Sequence, residues 1–225
     1  MKQGLPALLS FNGGYVDTAG FLALQGLFTA HVTGNFVTFG ASLVLGTSGA
    51  SAKLLALPVF CVVVVLSRFL CAALERRGAP ILRVLLALKT LLLAAGGALA
   101  IRLGPFHDGD AWPAILTGMV LVTAMALQNG MHRAHMSTTP PTTLMTGTTT
   151  QIMIDLADLM RGVPAEAKAA AKGRLGKMSA SVAAFALGCA AAAGLFLVVR
   201  EWAFVVPPAV AFIGFLIVGN EPAKV

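Results

Sequence analysis

HVTGNFVTFG, residues His31 to Gly40, puts Thr33, Gly34 and Asn35 side by side within a chain that is otherwise strongly apolar. LMTGTTTQIM, Leu144 to Met153, places a second Thr-Gly pair, Thr146-Gly147, in similar surroundings. Of the 225 residues, 57% are hydrophobic and 11% charged. Soluble domains carry about 25% charged residues, and the mean hydropathy of +0.85 agrees with a chain that cannot face water on all sides. The expectation is an all-α polytopic membrane protein, with lipid as its principal surroundings.

A helix crosses a bilayer in about 20 apolar residues. Six stretches meet that length: roughly Leu5–Phe28, Leu54–Leu74, Ile81–Leu103, Trp112–Met131, Gly176–Val199 and Trp202–Val218. The segments Phe36–Gly46 and Thr149–Met160, one after each Thr-Gly pair, are too short to span and have the length of re-entrant half-helices. The apolar start around Lys2 reads as the first span and not as a signal peptide, because Asn12, Gly13, Gly14 and Asp17 interrupt it.

The net charge of +7 lies mostly in two loops. Arg76, Arg77 and Arg83 flank one turn; Arg161, Lys168, Lys172, Arg174 and Lys177 fill another. Positive charge marks the cytoplasmic side. If both short helices crossed, these loops would lie on opposite sides; if both turn back, both loops and both termini lie inside. The loop with His107, Asp108 and Asp110 then lies outside, with Trp112 and Trp202 at the outer interface. No basic patch is interleaved with stacking aromatics, so nucleic acid is not expected as a partner.

The two Thr-Gly segments also fit an internal repeat. Leu24-Gln25 matches Leu127-Gln128, Ala30-His31 matches Ala134-His135, and Thr33-Gly34 matches Thr146-Gly147. The chain 1–225 reads as one transmembrane domain with repeat halves of about 5–103 and 112–219. Each half holds three crossings, so the second half is inverted, as in secondary transporters. GYVDTAGFLAL, HVTGN and MALQN…TTLMTGTTTQIMIDL also resemble the YoaK-like family of uncharacterised bacterial inner-membrane proteins. The resemblance covers nearly the whole chain. It implies a multi-pass inner-membrane location and names no substrate.

Irregular backbone at membrane depth needs polar partners. Thr33 or Asn35, and Thr146 or Thr148, suit the capping of half-helices, while Gly34 and Gly147 suit tight turns. Two such N-termini meeting near the midplane would favour an anion or a neutral polar solute. The expectation is therefore a transporter or channel for such a solute, its route lined by Thr33, Gly34, Asn35, Thr146, Gly147, Thr148 and Gln151. The alternative is a helper, sensor or assembly subunit that transports nothing.

Ionisable groups inside spans are costly and often functional. Asp17 and Lys89 lie at similar depths and are expected to face each other; Arg68 is expected to snorkel. His31 and His135, at matched repeat positions, are vestibule candidates with Gln25 and Gln128. Asp155 and Asp158 read as a solvated helix end pairing Arg161. His132-x-x-His135 lacks a third ligand, so no metal is expected. Cys61, Cys71 and Cys189 show neither disulfide nor zinc spacing. No G-x-S-x-G, H-E-x-x-H or Walker-type run appears, so no catalytic residue, enzyme activity or cofactor is expected. A homo-oligomer is left open.

Overall fold

A computed structural model describes residues 4–219, and these are helical with no strand. The helices are α1 (Leu5–Ala23), α2 (Asn35–Leu45), α3 (Ala50–Arg76), α4 (Ile81–Leu103), α5 (Trp112–His135), α6 (Met145–Arg161), α7 (Ala165–Val199) and α8 (Val206–Ile217). Short 3-10 turns precede α2, at Val32–Gly34, and α8, at Arg200–Val205. Among the described residues, four helical stretches are long and apolar enough to cross a membrane: α3, α4, α5 and the continuous run Ala165–Ile217.

Several boundaries differ from those read in the sequence. α1 stops at Ala23 because Gln25 and Gly26 both adopt positive φ, 53° and 82°, and reverse the chain. Gly26 tolerates this for want of a Cβ. Gln25 is tethered by its side-chain amide, which donates to the Phe106 carbonyl at 2.8 Å. α6 has 17 residues and starts at Met145, so the second Thr-Gly pair sits inside its first turn. α7 runs 35 residues because its basic start, rich in Ala and Lys, favours helix as strongly as the apolar part does.

Two ends of the bundle are defined by what meets there. At one end lie the loop after α1, the close of α2, the start of α3 and the α4–α5 loop. The backbone N–H groups of Gly49 and Ser51 donate to the Asp110 carboxylate at 2.7 Å each, and Gly109 N–H donates to Ser48 Oγ at 3.0 Å. Asp110 thus caps α3 from a distant loop. Partial burial acts to raise its pKa, but the donors of Gly49, Ser51 and Ala50 outweigh that and hold it below the usual carboxylate range. At the other end, Leu5 of α1, Cys71 of α3, Ile81 of α4 and Met131 of α5 form one apolar cluster, with Phe215 of α8 against it.

α1 packs on α7, and α3 on α5. α1 and α7 cross almost in backbone contact. A Cβ on Gly14 would lie 2.2 Å from the Phe185 carbonyl oxygen, and one on Gly188 would lie 2.0 Å from that of Phe11. Small residues permit this closeness in membrane helices, where dispersion replaces hydrophobic driving force. Between α3 and α5 the nearest such approach is looser, with Gly130 facing only the Ser67 hydroxyl, at 2.8 Å from a Cβ position.

Candidate functional site between the Thr-Gly segments

After its reversal at Gln25 and Gly26, the chain runs back along α1 and is pinned at Asp17. The buried Asp17 carboxylate accepts from the backbone N–H groups of Thr29 and Ala30, both at 2.7 Å. His31 Nδ1 lies 3.5 Å from the other carboxylate oxygen. Asn35 completes the clamp. Its Oδ1 accepts from Phe28 N–H and its Nδ2 donates to Phe28 O, each at 2.8 Å. Gly34 allows the Phe28 ring to lie against the backbone, 3.1 Å from where a Cβ would stand. The Asn35 of HVTGN therefore holds its own loop closed, its amide oxygen and nitrogen both engaged with Phe28.

The second segment is held differently. Gln128 Nε2 donates to Thr142 Oγ1 at 2.9 Å and to Leu9 O at 3.1 Å, while Thr143 Oγ1 donates to Asn129 Oδ1 at 2.6 Å. Asn129 lies six residues before the end of α5, as Asp17 does before the end of α1. The amides of Gln128 and Asn129 thus hold the second loop as the Asp17 carboxylate holds the first. Gln25 lies beyond α1 whereas Gln128 lies within α5, and His31 lies in a loop whereas His135 ends a helix. Residues matched by the local identity of Leu-Gln and Ala-His thus sit in unlike places, and the partners that hold each loop lie 12 to 14 residues away.

Other expectations are also corrected. Asp17 and Lys89 do not meet. Lys89, fully buried, donates its ammonium to Gln128 Oε1, while Asp17 is occupied by the 29–31 backbone. No side chain caps α2 or α6: Asn35 is engaged with Phe28, and Thr148 Oγ1 bonds back to Leu144 O at 2.9 Å. Gln151 turns to Asp155 at 3.0 Å. Asp158 pairs Arg161 at 2.9 Å as expected. Asp155 is instead buried and gripped by Arg174 Nη2 at 2.6 Å, because α7 packs over that face of α6.

A cavity of about 560 Å³ lies where the first loop faces α3 and α5. His31 and Thr33 line it from the first segment, Leu144 from the second, Ser67 and Arg68 from α3, and Asn129 and Arg133 from α5. Gly34, Asn35, Thr146, Gly147, Thr148 and Gln151 do not line it. Nor do Asp17, Lys89, His135, Gln25 and Gln128. A second cavity, about 540 Å³, lies between the end of α5, the 137–144 loop and the start of α7. Asn129, Arg133 and Leu144 line both.

A family model described as "Protein of unknown function (DUF1275)" matches residues 5–217. The chain belongs to that family. The YoaK-like proteins are among the family's members, in keeping with the sequence resemblance. No curated protein and no solved structure matches the chain. For this DUF1275 protein, sequence reasoning missed Ser67 and Arg133 as cavity residues. Arg133 stands in NGMHRAH, where it reads as an end-of-span charge. Only the return of the 136–144 loop forms a cavity wall beside it.

The clamp at Asp17 is testable in this DUF1275 protein. Asp17→Ala removes the acceptor for two buried N–H groups and is expected to cost about 3 kcal/mol. Asp17→Asn, which keeps an acceptor oxygen, should recover part of that. The measurement is thermal unfolding in detergent. Loss below about 0.5 kcal/mol in Asp17→Ala would remove the clamp from the account.

Proposed function

We propose that this protein is a multi-pass transporter for a small polar or anionic solute, sited in the bacterial inner membrane. Its route runs through the cavity between the two Thr-Gly segments. The observation that carries this reading is the meeting there of Thr33, from the first segment, with Leu144, from the second, beside Asn129, Ser67, Arg68 and Arg133. Each pinned segment brings polar backbone to the interior, which membranes tolerate where it lines a cavity.

The architecture we propose is six spans, α1, α3, α4, α5, α7 and α8, with α2 and α6 re-entrant from opposite faces. Three observations support it. The 24–34 loop leaves one end of the bundle and reaches Asp17, midway along α1. The 136–144 loop leaves the other end and reaches Gln128 and the level of Gly13. The packing of α1 on α7 answers that of α5 on α3, as exchange of the first and second spans between inverted halves requires. The looser α3–α5 pair borders the cavity, whereas Gly14 and Gly188 seal the α1–α7 pair. That asymmetry favours a carrier over a permanently open pore. The rival reading is a helper, sensor or assembly subunit, which needs no route through the membrane.

Two measurements test the proposal. In a background lacking Cys61, Cys71 and Cys189, single cysteines at Thr47 and Lys168 should label from opposite sides of the membrane. Three spans separate those exposed positions in the proposed topology. In liposomes, at least one small polar or anionic solute should cross faster than in empty vesicles, and Thr33→Trp, which fills the cavity, should cut that flux at least tenfold. Labelling from one side would make the halves parallel. Unchanged flux in Thr33→Trp would move the route elsewhere.

A further inference from the structure

We infer that the two cavities around Arg133 form a binding site for a small soluble oxyanion, carboxylate- or phosphate-like, with Arg133 as the cation presented to both. This deepens the transport reading and rests on its route. Arg68 and Arg133 line the first cavity; Arg133, Arg174 and Lys177 line the second. No Asp or Glu lines either. Arg174 is answered by Asp155, but Arg68, Arg133 and Lys177 make no salt bridge among the described residues.

Charge physics makes this imbalance informative. Arg68, Arg133 and Lys177 are exposed at the cavity walls, where they can meet an anion, and no carboxylate among the lining residues competes for them. Thr33, Ser67 and Asn129 add hydroxyl and amide groups to the same wall. A guanidinium offers paired N–H donors that match two oxygens of a carboxylate or phosphate. Volumes of about 560 and 540 Å³ fit a small organic or inorganic anion with its waters. Phospholipid headgroups present the same chemistry. The second cavity is a partly open cleft between the end of α5, the 137–144 loop and the start of α7, bordered by polar side chains, which favours a soluble anion over a lipid.

The test is a thermal-shift panel on the purified full chain in neutral detergent, against chloride at equal ionic strength. The probes are inorganic phosphate, sulfate, acetate and succinate, neutral glycerol and urea, and a short-chain phosphatidylglycerol. At least one soluble oxyanion should raise Tm by roughly 5–10 °C when near a hundredfold above its Kd. Arg133→Gln should abolish the rise, Arg133→Lys retain part of it, and Arg68→Gln reduce it. Arg102→Gln, outside both cavities, should leave it intact. No shift with any soluble oxyanion, or a shift that survives in both Arg133→Gln and Arg68→Gln, overturns the inference. A shift with phosphatidylglycerol alone overturns it in favour of a lipid site. Flux in liposomes separates this inference from the transport reading. Glycerol or urea flux without oxyanion binding leaves transport standing and removes the anion site; oxyanion binding without flux of any solute supports the site and removes transport.

Discussion

Gly188→Ala should be among the most damaging single substitutions in this protein, although it adds one methyl group. The added Cβ falls 2.0 Å from the Phe11 carbonyl oxygen and 3.0 Å from the Tyr15 nitrogen. These are backbone atoms of α1, so no side-chain rotation relieves the clash. α1 and α7 must separate, and the packing along their crossing is lost with them. Overpacking of this kind costs about 3 kcal/mol or more. By the scaling of soluble domains this corresponds to a fall in Tm of roughly 6–12 °C. Gly14→Ala, 2.2 Å from the Phe185 carbonyl oxygen, should behave alike. Gly194→Ala lies on the same helix with open space around it. It should be neutral or slightly stabilising, since alanine favours helix over glycine. Thermal unfolding followed by size-exclusion chromatography reads all three. Equal Tm values for Gly188→Ala and Gly194→Ala would show that the crossing is not as close as described.

Gln128→Leu should be comparably costly for an electrostatic reason. Lys89 is fully buried, and Gln128 Oε1 accepts from its ammonium. Leucine fills a similar volume but leaves the charge without that acceptor. Leaving a buried donor without its acceptor costs about 1–3 kcal/mol. The same change frees Leu9 O and Thr142 Oγ1, so the second loop loosens as well. The double variant Lys89→Met with Gln128→Leu removes charge and acceptor together and should be more stable than Gln128→Leu alone. A double-mutant cycle in thermal or denaturant unfolding gives the coupling, expected above about 1 kcal/mol. A coupling near zero would mean that Lys89 finds its counterpart elsewhere.

These two sites show how the chain builds its interior. Lys89 and Asp17 read in the sequence as two opposite charges at similar depth and so as partners. Hydropathy gives depth along a span but not rotation about it. In the structure Lys89 turns to α5 and Asp17 to the loop beyond its own helix. Both charges are spent on holding segments in place, which is why neither lines the cavity. Asn35 was likewise legible as special, since an amide in an apolar run needs a reason. Its role was not legible, because the contact with Phe28 forms only after the reversal at Gln25 and Gly26.

The sequence by itself determined the membrane-like, all-helical character and the two interrupted places at Thr33-Gly34 and Thr146-Gly147. All of these follow from composition and from the length a bilayer demands, which are local properties. Tertiary structure alone decided which polar groups pair and which remain facing a cavity. It joined Arg68 and Arg133, 65 positions apart, on one wall with Thr33. It also buried Asp155 under Arg174 and set Gly14 against the Phe185 carbonyl. The physical reason is that apolar periodicity in a membrane helix is weak, as lipid and protein interior attract the same side chains. The choice of neighbour then rests on close backbone contact and on scattered hydrogen bonds between residues far apart in the chain.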